Sequence, residues 1–181
     1  MDSLLVNRKF DKKSFIETSQ VHWEIKTSKN LKQIKRFLMV ALIILASGII
    51  TGVLGSGYAP FLIFIGTIAL VVVAARIMSM RHVKKRYNKE VKEKIEELGK
   101  EERTYTFEFS DNSVKYHDKE TDLELKWPAF KGYSIYKNHI VLVLKNSSTS
   151  FYVFGKEGAI DIEYEKILEF AKFKLPCIKI K

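Results

Sequence analysis

The side chains able to do acid–base, nucleophilic or metal chemistry in this 181-residue chain are few and scattered. Its histidines are His22, His82, His117 and His139, and none stands at metal-ligand spacing from another histidine or from a pair of carboxylates. The single cysteine, Cys177, precludes an intrachain disulfide and a cysteine-based zinc site. It also sits in a basic tail, a poor place for an oriented nucleophile. The carboxylates Glu108, Asp111, Asp118, Glu120, Asp122 and Glu124 fall in turns or on the polar face of alternating segments, the pattern of solvated surface rather than of an acid/base pair. There is no G-x-S-x-G, P-loop or G-x-G-x-x-G motif. The expectation is a protein that is not an enzyme and that calls for no cofactor and no metal.

What the sequence does carry is a contrast between one uncharged block and its flanks. From Phe37 to Ala75, 39 consecutive positions lack Asp, Glu, Lys, Arg and His. A bilayer requires such a stretch, whereas a soluble domain of this size would have to hide it all round. The formal charge of +10 is concentrated beside the block: residues 1–36 carry nine Lys/Arg against four Asp/Glu, and residues 76–103 carry ten against six. Residues 104–181 are nearly balanced, with twelve against eleven. Lys29, Lys32, Lys35 and Arg36 stand before the block; Arg76, Arg81, Lys84, Lys85, Arg86 and Lys89 stand after it. This is the positive-inside pattern of juxtamembrane segments, not the basic face of a nucleic-acid binder, and no nucleic-acid partner is expected.

The block is too long for one span and suits two, at residues 37–54 and 61–78 within a hairpin of 37–80. Eighteen residues at about 1.5 Å each reach about 27 Å, close to the ~30 Å hydrocarbon core. Gly55-Ser56-Gly57-Tyr58-Ala59-Pro60 supplies the turn, with the proline suited to the first turn of the second helix. Both basic flanks then lie on one side, which predicts cytoplasmic amino and carboxyl termini in a bacterial cell membrane and contact of Lys32, Lys35, Arg36, Arg76, Arg81, Lys84, Lys85 and Arg86 with the anionic inner leaflet. Gly48 and Gly52 form a GxxxG match, and with Gly66 they predict close packing of the spans on each other or on a second copy, so a homo-oligomer is open.

Beyond the block, residues 81–99 read as a charged helical connector with Val83, Tyr87, Val91, Ile95 and Leu98 as a narrow stripe, the opposite-charge pairs Lys89/Glu93, Glu90/Lys94 and Lys92/Glu96, and Gly99 as the stop. In residues 1–36, Leu4, Val6 and Phe10 suggest a short strand, and Asp11 is placed to cap a helix through Phe15, Ile16 and Ser19. The alternation Val21, Trp23, Ile25 fits a strand as well as a helix. Trp23 and the lysines after it suit the headgroup level.

From Arg103 the period becomes two. Tyr105, Phe107 and Phe109 alternate with polar residues; Ser110–Ser113 and Asp118–Asp122 read as turns around Val114 and Tyr116; Leu123, Leu125 and Trp127 continue an apolar face. Phe130–Tyr136, Ile140–Leu144 and Phe151–Phe154 complete six strands, with turns at Lys137-Asn138 and at 146–149. Asp161 then opens a helix with Tyr164, Ile167, Leu168 and Ala171 facing inward, ending before Pro176. The predicted fold class is an α+β membrane protein: a two-helix transmembrane hairpin, a helical connector, and at 103–175 a small antiparallel β domain of pleckstrin-homology-like outline capped by a carboxyl-terminal helix. A strand at Leu4–Phe10 would complete its sheet.

Phe107-Glu108-Phe109-Ser110-Asp111-Asn112-Ser113-Val114, Leu125-Lys126-Trp127 and Ile140-Val141-Leu142-Val143-Leu144 resemble the strand-turn-strand opening, the Trp-containing strand and the central apolar strand of the YcxB-like family of bacterial membrane proteins. The resemblance implies two closely spaced spans, a charged helix and a small pleckstrin-homology-like domain, and it implies no reaction. Phe154-Gly155-Lys156-Glu157-Gly158 departs from the Ile-Pro-Lys-Arg-like turn usual there. Phosphoinositide binding through the loop between the first two strands is not expected, because that loop, taken as Ser110–Ser113, has only Lys115 near it.

The function expected is a non-enzymatic membrane anchor presenting the β domain to a protein or peptide, by a strand edge or a groove beside the last helix. A bacteriocin or toxin immunity protein is the alternative, without a specific feature in its favour. A holin-like or oligomeric pore is disfavoured, because Ser47, Thr51 and Thr67 are the main polar residues of the spans.

Overall fold

The computed structural model describes residues 3–100, 103–145, 151–156 and 161–179. They form β1 (Leu4–Lys9), α1 (Lys12–Val53), α2 (Ala59–Leu98), β2 (Thr104–Phe109), β3 (Ser113–His117), β4 (Asp122–Lys126), β5 (Phe130–Tyr136), β6 (His139–Leu144), β7 (Phe151–Gly155) and α3 (Asp161–Lys174). The chain is α+β: two long apolar helices, antiparallel sheets and a carboxyl-terminal helix. The expected turn at 146–149, the Glu157-Gly158 half of the glycine turn and the side-chain cap by Asp161 lie outside the described residues.

Two compact units share the chain. One comprises residues 1–26 and 91–181, the other residues 27–90. The β unit is therefore discontinuous in sequence. Its first strand, β1, pairs antiparallel with β2 from Leu4↔Phe109 to Lys9↔Thr104, so the helical hairpin is inserted between two neighbouring strands. The strand expected at Leu4–Phe10 does complete a sheet. A domain of 103–175 alone leaves out that strand, and Ser110–Ser113 joins β2 to β3, not the first pair of strands.

The sheets run β1-β2-β3-β4 and β5-β6-β7. Val6, Phe109 and Val114 from the first, Phe130, Ile140, Leu142 and Phe154 from the second, and Tyr164, Ile167, Leu168 and Ala171 from α3 share one core. The four inward residues expected of α3 are thus all buried, each large one removing about 1.5–3 kcal/mol worth of apolar surface from water. The other face of the second sheet is covered too: Val21 and Ile25 of α1 pack on Val141, with Val143, Phe151 and Val153 around them. Burial on both faces is why Ile140–Leu144 reads as an unbroken apolar run instead of alternating.

Local signals account for the element ends. The Asp11 carboxylate accepts the Ser14 amide at 2.7 Å, and Phe10 packs on Phe15 with ring centroids 5.7 Å apart, an N-cap with its hydrophobic staple. No break marks position 37, since α1 runs without interruption from Lys12 to Val53. It ends in a Schellman turn: Ser56 N–H donates to Thr51 O at 2.9 Å, Gly55 N–H donates to Gly52 O at 3.1 Å, and Gly55 takes φ 73°. At the far end of α2, Gly99 N–H closes the last turn on Ile95 O at 2.9 Å. Of the charge pairs expected on the connector, Glu90 is instead met by Arg86 at 3.2 Å and Lys94 by Glu97 at 3.0 Å.

Trp127 is buried as expected but leaves the strand. β4 stops at Lys126, and Trp127–Ala129 make one 3₁₀ turn with Pro128 inside it. The indole still faces the core, and its Nε1–H donates to Ser110 O at 2.9 Å. Lys137 and Asn138 both take positive φ, 46° and 60°, making the tight two-residue turn between β5 and β6.

Candidate functional site

In the helical unit, α1 and α2 are antiparallel and meet along a narrow seam. A Cβ on Gly48 would lie 2.9 Å from the Ile63 backbone nitrogen, and one on Gly66 would lie 3.0 Å from Leu45 Cα. Gly52 approaches Ala59 less tightly, at 3.4 Å. The small residues singled out in the sequence therefore bring the two helices of this chain together. Away from the seam the apolar surface is uncovered: only 11% of the positions in the apolar 18-residue stretch of each helix are buried, and Val53, Leu54 and Phe64 are 84%, 77% and 63% exposed. The hydroxyls of Ser47 and Thr67 donate back to Ile43 O and Ile63 O at 2.9 and 2.8 Å, and Thr51 donates to Ser47 O at 2.9 Å. These three hydroxyls are thus satisfied within their own helices.

The eight basic residues assigned to a membrane surface are all exposed. Lys32, Lys35 and Arg36 on α1 and Arg76, Arg81, Lys84, Lys85 and Arg86 on α2 occupy the ends of the hairpin remote from the Gly55 turn. The guanidinium of Arg76 lies over the Phe37 ring, 5.9 Å from its centroid, where the two uncharged stretches meet the basic flanks.

In the β unit, strand register makes a site that the composition does not announce. On the inward face of the first sheet, one rung is Leu4–Phe109–Val114–Leu125 and the next is Val6–Phe107–Tyr116–Leu123. The third rung pairs Arg8 with Tyr105. The period-two face that starts apolar thus ends in a cation and a phenol, with Asp118 just past the end of β3. A cavity of about 570 Å³ opens there, closed on its other sides by the start of α1 (Phe10 to Thr18), Leu98 and Arg103, and β7. Its aromatic wall is continuous: Phe107 lies 5.1 Å from Tyr116 and 5.0 Å from Phe154, and Tyr105 lies 5.9 Å from Phe107, centroid to centroid.

The polar groups around this cavity are unevenly matched. Asp118 accepts the Tyr116 hydroxyl and the amides of Glu120 and Thr121, at 2.8 and 2.7 Å for the two amides. The Tyr116 bond holds the Asp118 carboxyl below its ordinary range, while burial, and then that bond, push the Tyr116 phenol up. Burial also raises Tyr105, against the pull of Arg8. Asp11 is committed to capping α1. Arg103 reaches Glu120 through Nη2 at 3.0 Å, but its Nε is buried without a hydrogen-bond partner among the described residues. Arg8 has two such nitrogens, Nε and Nη2.

Among the histidines, His22 stacks on Phe151 at 4.3 Å and His139 Nδ1 lies 2.7 Å from Lys137 O, while His117 borders the cavity. No group of three His, Cys, Asp or Glu able to hold a metal ion occurs among the described residues. Cys177 is exposed and bridges to Tyr133, so that the tail covers the outer edge of β5. Neither Arg8 nor Arg103 stands out in the sequence by motif. The signal was the register: a strand reading Leu4-x-Val6-x-Arg8 puts its arginine on the face of the two preceding core residues. Compared with protein-family models, with curated proteins and with solved structures, the chain matches none.

Proposed function

We propose that this chain is a non-enzymatic, membrane-anchored protein whose hairpin crosses a bacterial cell membrane twice and whose β unit works in the cytoplasm as a recognition module. The observation that carries the reading is the uncovered apolar perimeter of a hairpin already packed on itself through Gly48 and Gly66. Water around that perimeter would be costly, at about 25 cal/mol per Å² of apolar surface, and lipid removes the cost. The charge agrees, with basic clusters at the open end of the hairpin and an uncharged turn at the other. Each well-placed Lys or Arg adds up to about 1 kcal/mol at an anionic surface.

Four strands, three strands and a carboxyl-terminal helix around one core support the pleckstrin-homology-like reading, and with it the resemblance to the YcxB-like family. The partner is a protein or peptide. The favoured docking place is the edge of β4, which pairs with β3 alone among the described strands and can accept a further strand. A pore has less support, since the hydroxyls of Ser47, Thr51 and Thr67 are turned to their own helices.

Alkaline extraction of membranes from cells expressing the full chain, followed by protease treatment of intact and of opened cells, tests the reading. The expected result is retention in the pellet, with residues 104–181 cleaved only after opening. Release at high pH, or cleavage of that segment in intact cells, overturns it.

A further inference from the structure

The cavity at the third rung of the first sheet has a chemistry that neither the membrane anchor nor a strand edge uses. We propose that it is a binding site for a small soluble organic anion, a carboxylate or phosphate carried on a flat apolar body, held by Arg8 and Arg103. The inference is independent of the membrane reading.

Charge makes the first argument. A guanidinium placed on a core-facing rung loses hydration, and that loss is offset only when its donors find acceptors. Two of the Arg8 nitrogens and one of Arg103 are buried and have none among the described residues. The two carboxylates that border the cavity take their hydrogen bonds from other donors, Asp11 from the Ser14 amide and Asp118 from the Tyr116 hydroxyl and two amides, and neither reaches those arginine nitrogens. An entering oxyanion supplies the missing acceptors, and the planar fork of arginine suits carboxylate and phosphate alike.

Size and shape make the second. About 570 Å³ lies within the range of small-molecule sites, roughly 300–1,000 Å³, and far exceeds what one or two waters need. Tyr105, Phe107, Tyr116 and Phe154 present ring surface beside the arginines. A ligand with its anionic end at Arg8 lays its apolar part along those rings, so the site selects for both features together.

Calorimetric titration of the full chain in phosphatidylcholine nanodiscs tests this, with 1-naphthyl phosphate as the probe and empty discs as the blank. The expected result is saturable one-to-one binding that weakens at least tenfold in both Arg8→Met and Arg103→Gln. Neither 1-naphthol nor inorganic phosphate should match the probe. Arg8→Met is also expected to unfold at an equal or higher temperature than the parent, because it keeps the apolar stem and removes an unmatched charge. Absence of saturable binding, undiminished binding by Arg8→Met, or equal binding of 1-naphthol overturns the proposal. So does a lowered unfolding temperature for Arg8→Met, which would make Arg8 a structural residue. Repeating the titration in discs containing phosphatidylglycerol separates the sources of the anion. Unchanged affinity supports a soluble ligand, whereas loss of probe binding assigns the site to a lipid headgroup and overturns the soluble one.

Discussion

Single residues decide how closely the two long helices approach. At Gly48 and Gly66 a methyl group would press on backbone atoms at 2.9–3.0 Å, and backbone cannot turn aside. Gly48→Ala and Gly66→Ala are each expected to weaken the hairpin by about 1–3 kcal/mol. At Gly52 the same change meets only Ala59 Cβ at 3.4 Å, so it should be neutral or gain up to about 1 kcal/mol of helix propensity. Unfolding of the three variants in one detergent, followed by circular dichroism, checks the contrast. A second residue-scale prediction concerns Glu24, which accepts Lys137 Nζ at 2.7 Å and the Tyr136 hydroxyl at 3.0 Å. The Lys137 bond holds the Glu24 carboxyl below its ordinary 4.5. A carboxylate with a depressed folded pKa stabilises above its unfolded value and loses that contribution as pH falls through the folded one. Glu24→Gln should therefore be less stable than the parent at neutral pH, and the gap should close as pH falls through the depressed folded value, which denaturant midpoints measured across pH show. The spacing of Gly48, Gly52 and Gly66 was legible beforehand as helix packing. Whether it served this hairpin or a second copy depended on where each glycine faced, which only the paired helices reveal. Arg8 was illegible because an arginine in a strand reads as surface until the register fixes its face.

At the scale of elements, most boundaries followed from local chemistry. The Asp11 cap, the Gly55 turn, the Gly99 stop and the Lys137-Asn138 hairpin are short-range signals, and the chain obeys each of them. Asp11→Ala should cost about 1 kcal/mol by leaving the first turn of α1 uncapped, and Gly55→Ala about the same by forcing a Cβ into the left-handed region. Chemical denaturation measures both. Val21, Trp23 and Ile25 alternate as a strand would, while Val21 and Ile25 alone also fit one face of a helix. What resolves them is the outer face of β5–β7: Val21 and Ile25, one helical turn apart, fall together on Val141. Trp127 is the converse case. Its apolar spacing placed it on β4, while Pro128 cannot donate to a strand ladder and turns the chain there instead.

At the scale of the whole molecule, the β unit depends on residues far apart in sequence. A fragment of residues 103–181 lacks β1, Val6 and the helix that covers Val141, and is expected to give poorly dispersed amide spectra. Residues 1–26 joined by a flexible Gly/Ser linker to residues 91–181 should restore dispersion and cooperative unfolding; equal spectra from the two would refute the dependence. Chemistry along the chain was enough to read the uncharged block, its basic flanks, the change of period at Arg103 and the last helix, because each is a pattern within a few tens of residues. Pairing was not written there. That Leu4–Lys9 lies beside Thr104–Phe109 across an inserted hairpin, that a helix covers the second face of β6, and that Arg8 therefore ends an apolar sheet face beside a cavity are consequences of long-range strand register. Register is set by the burial of a shared core, which no local segment carries by itself.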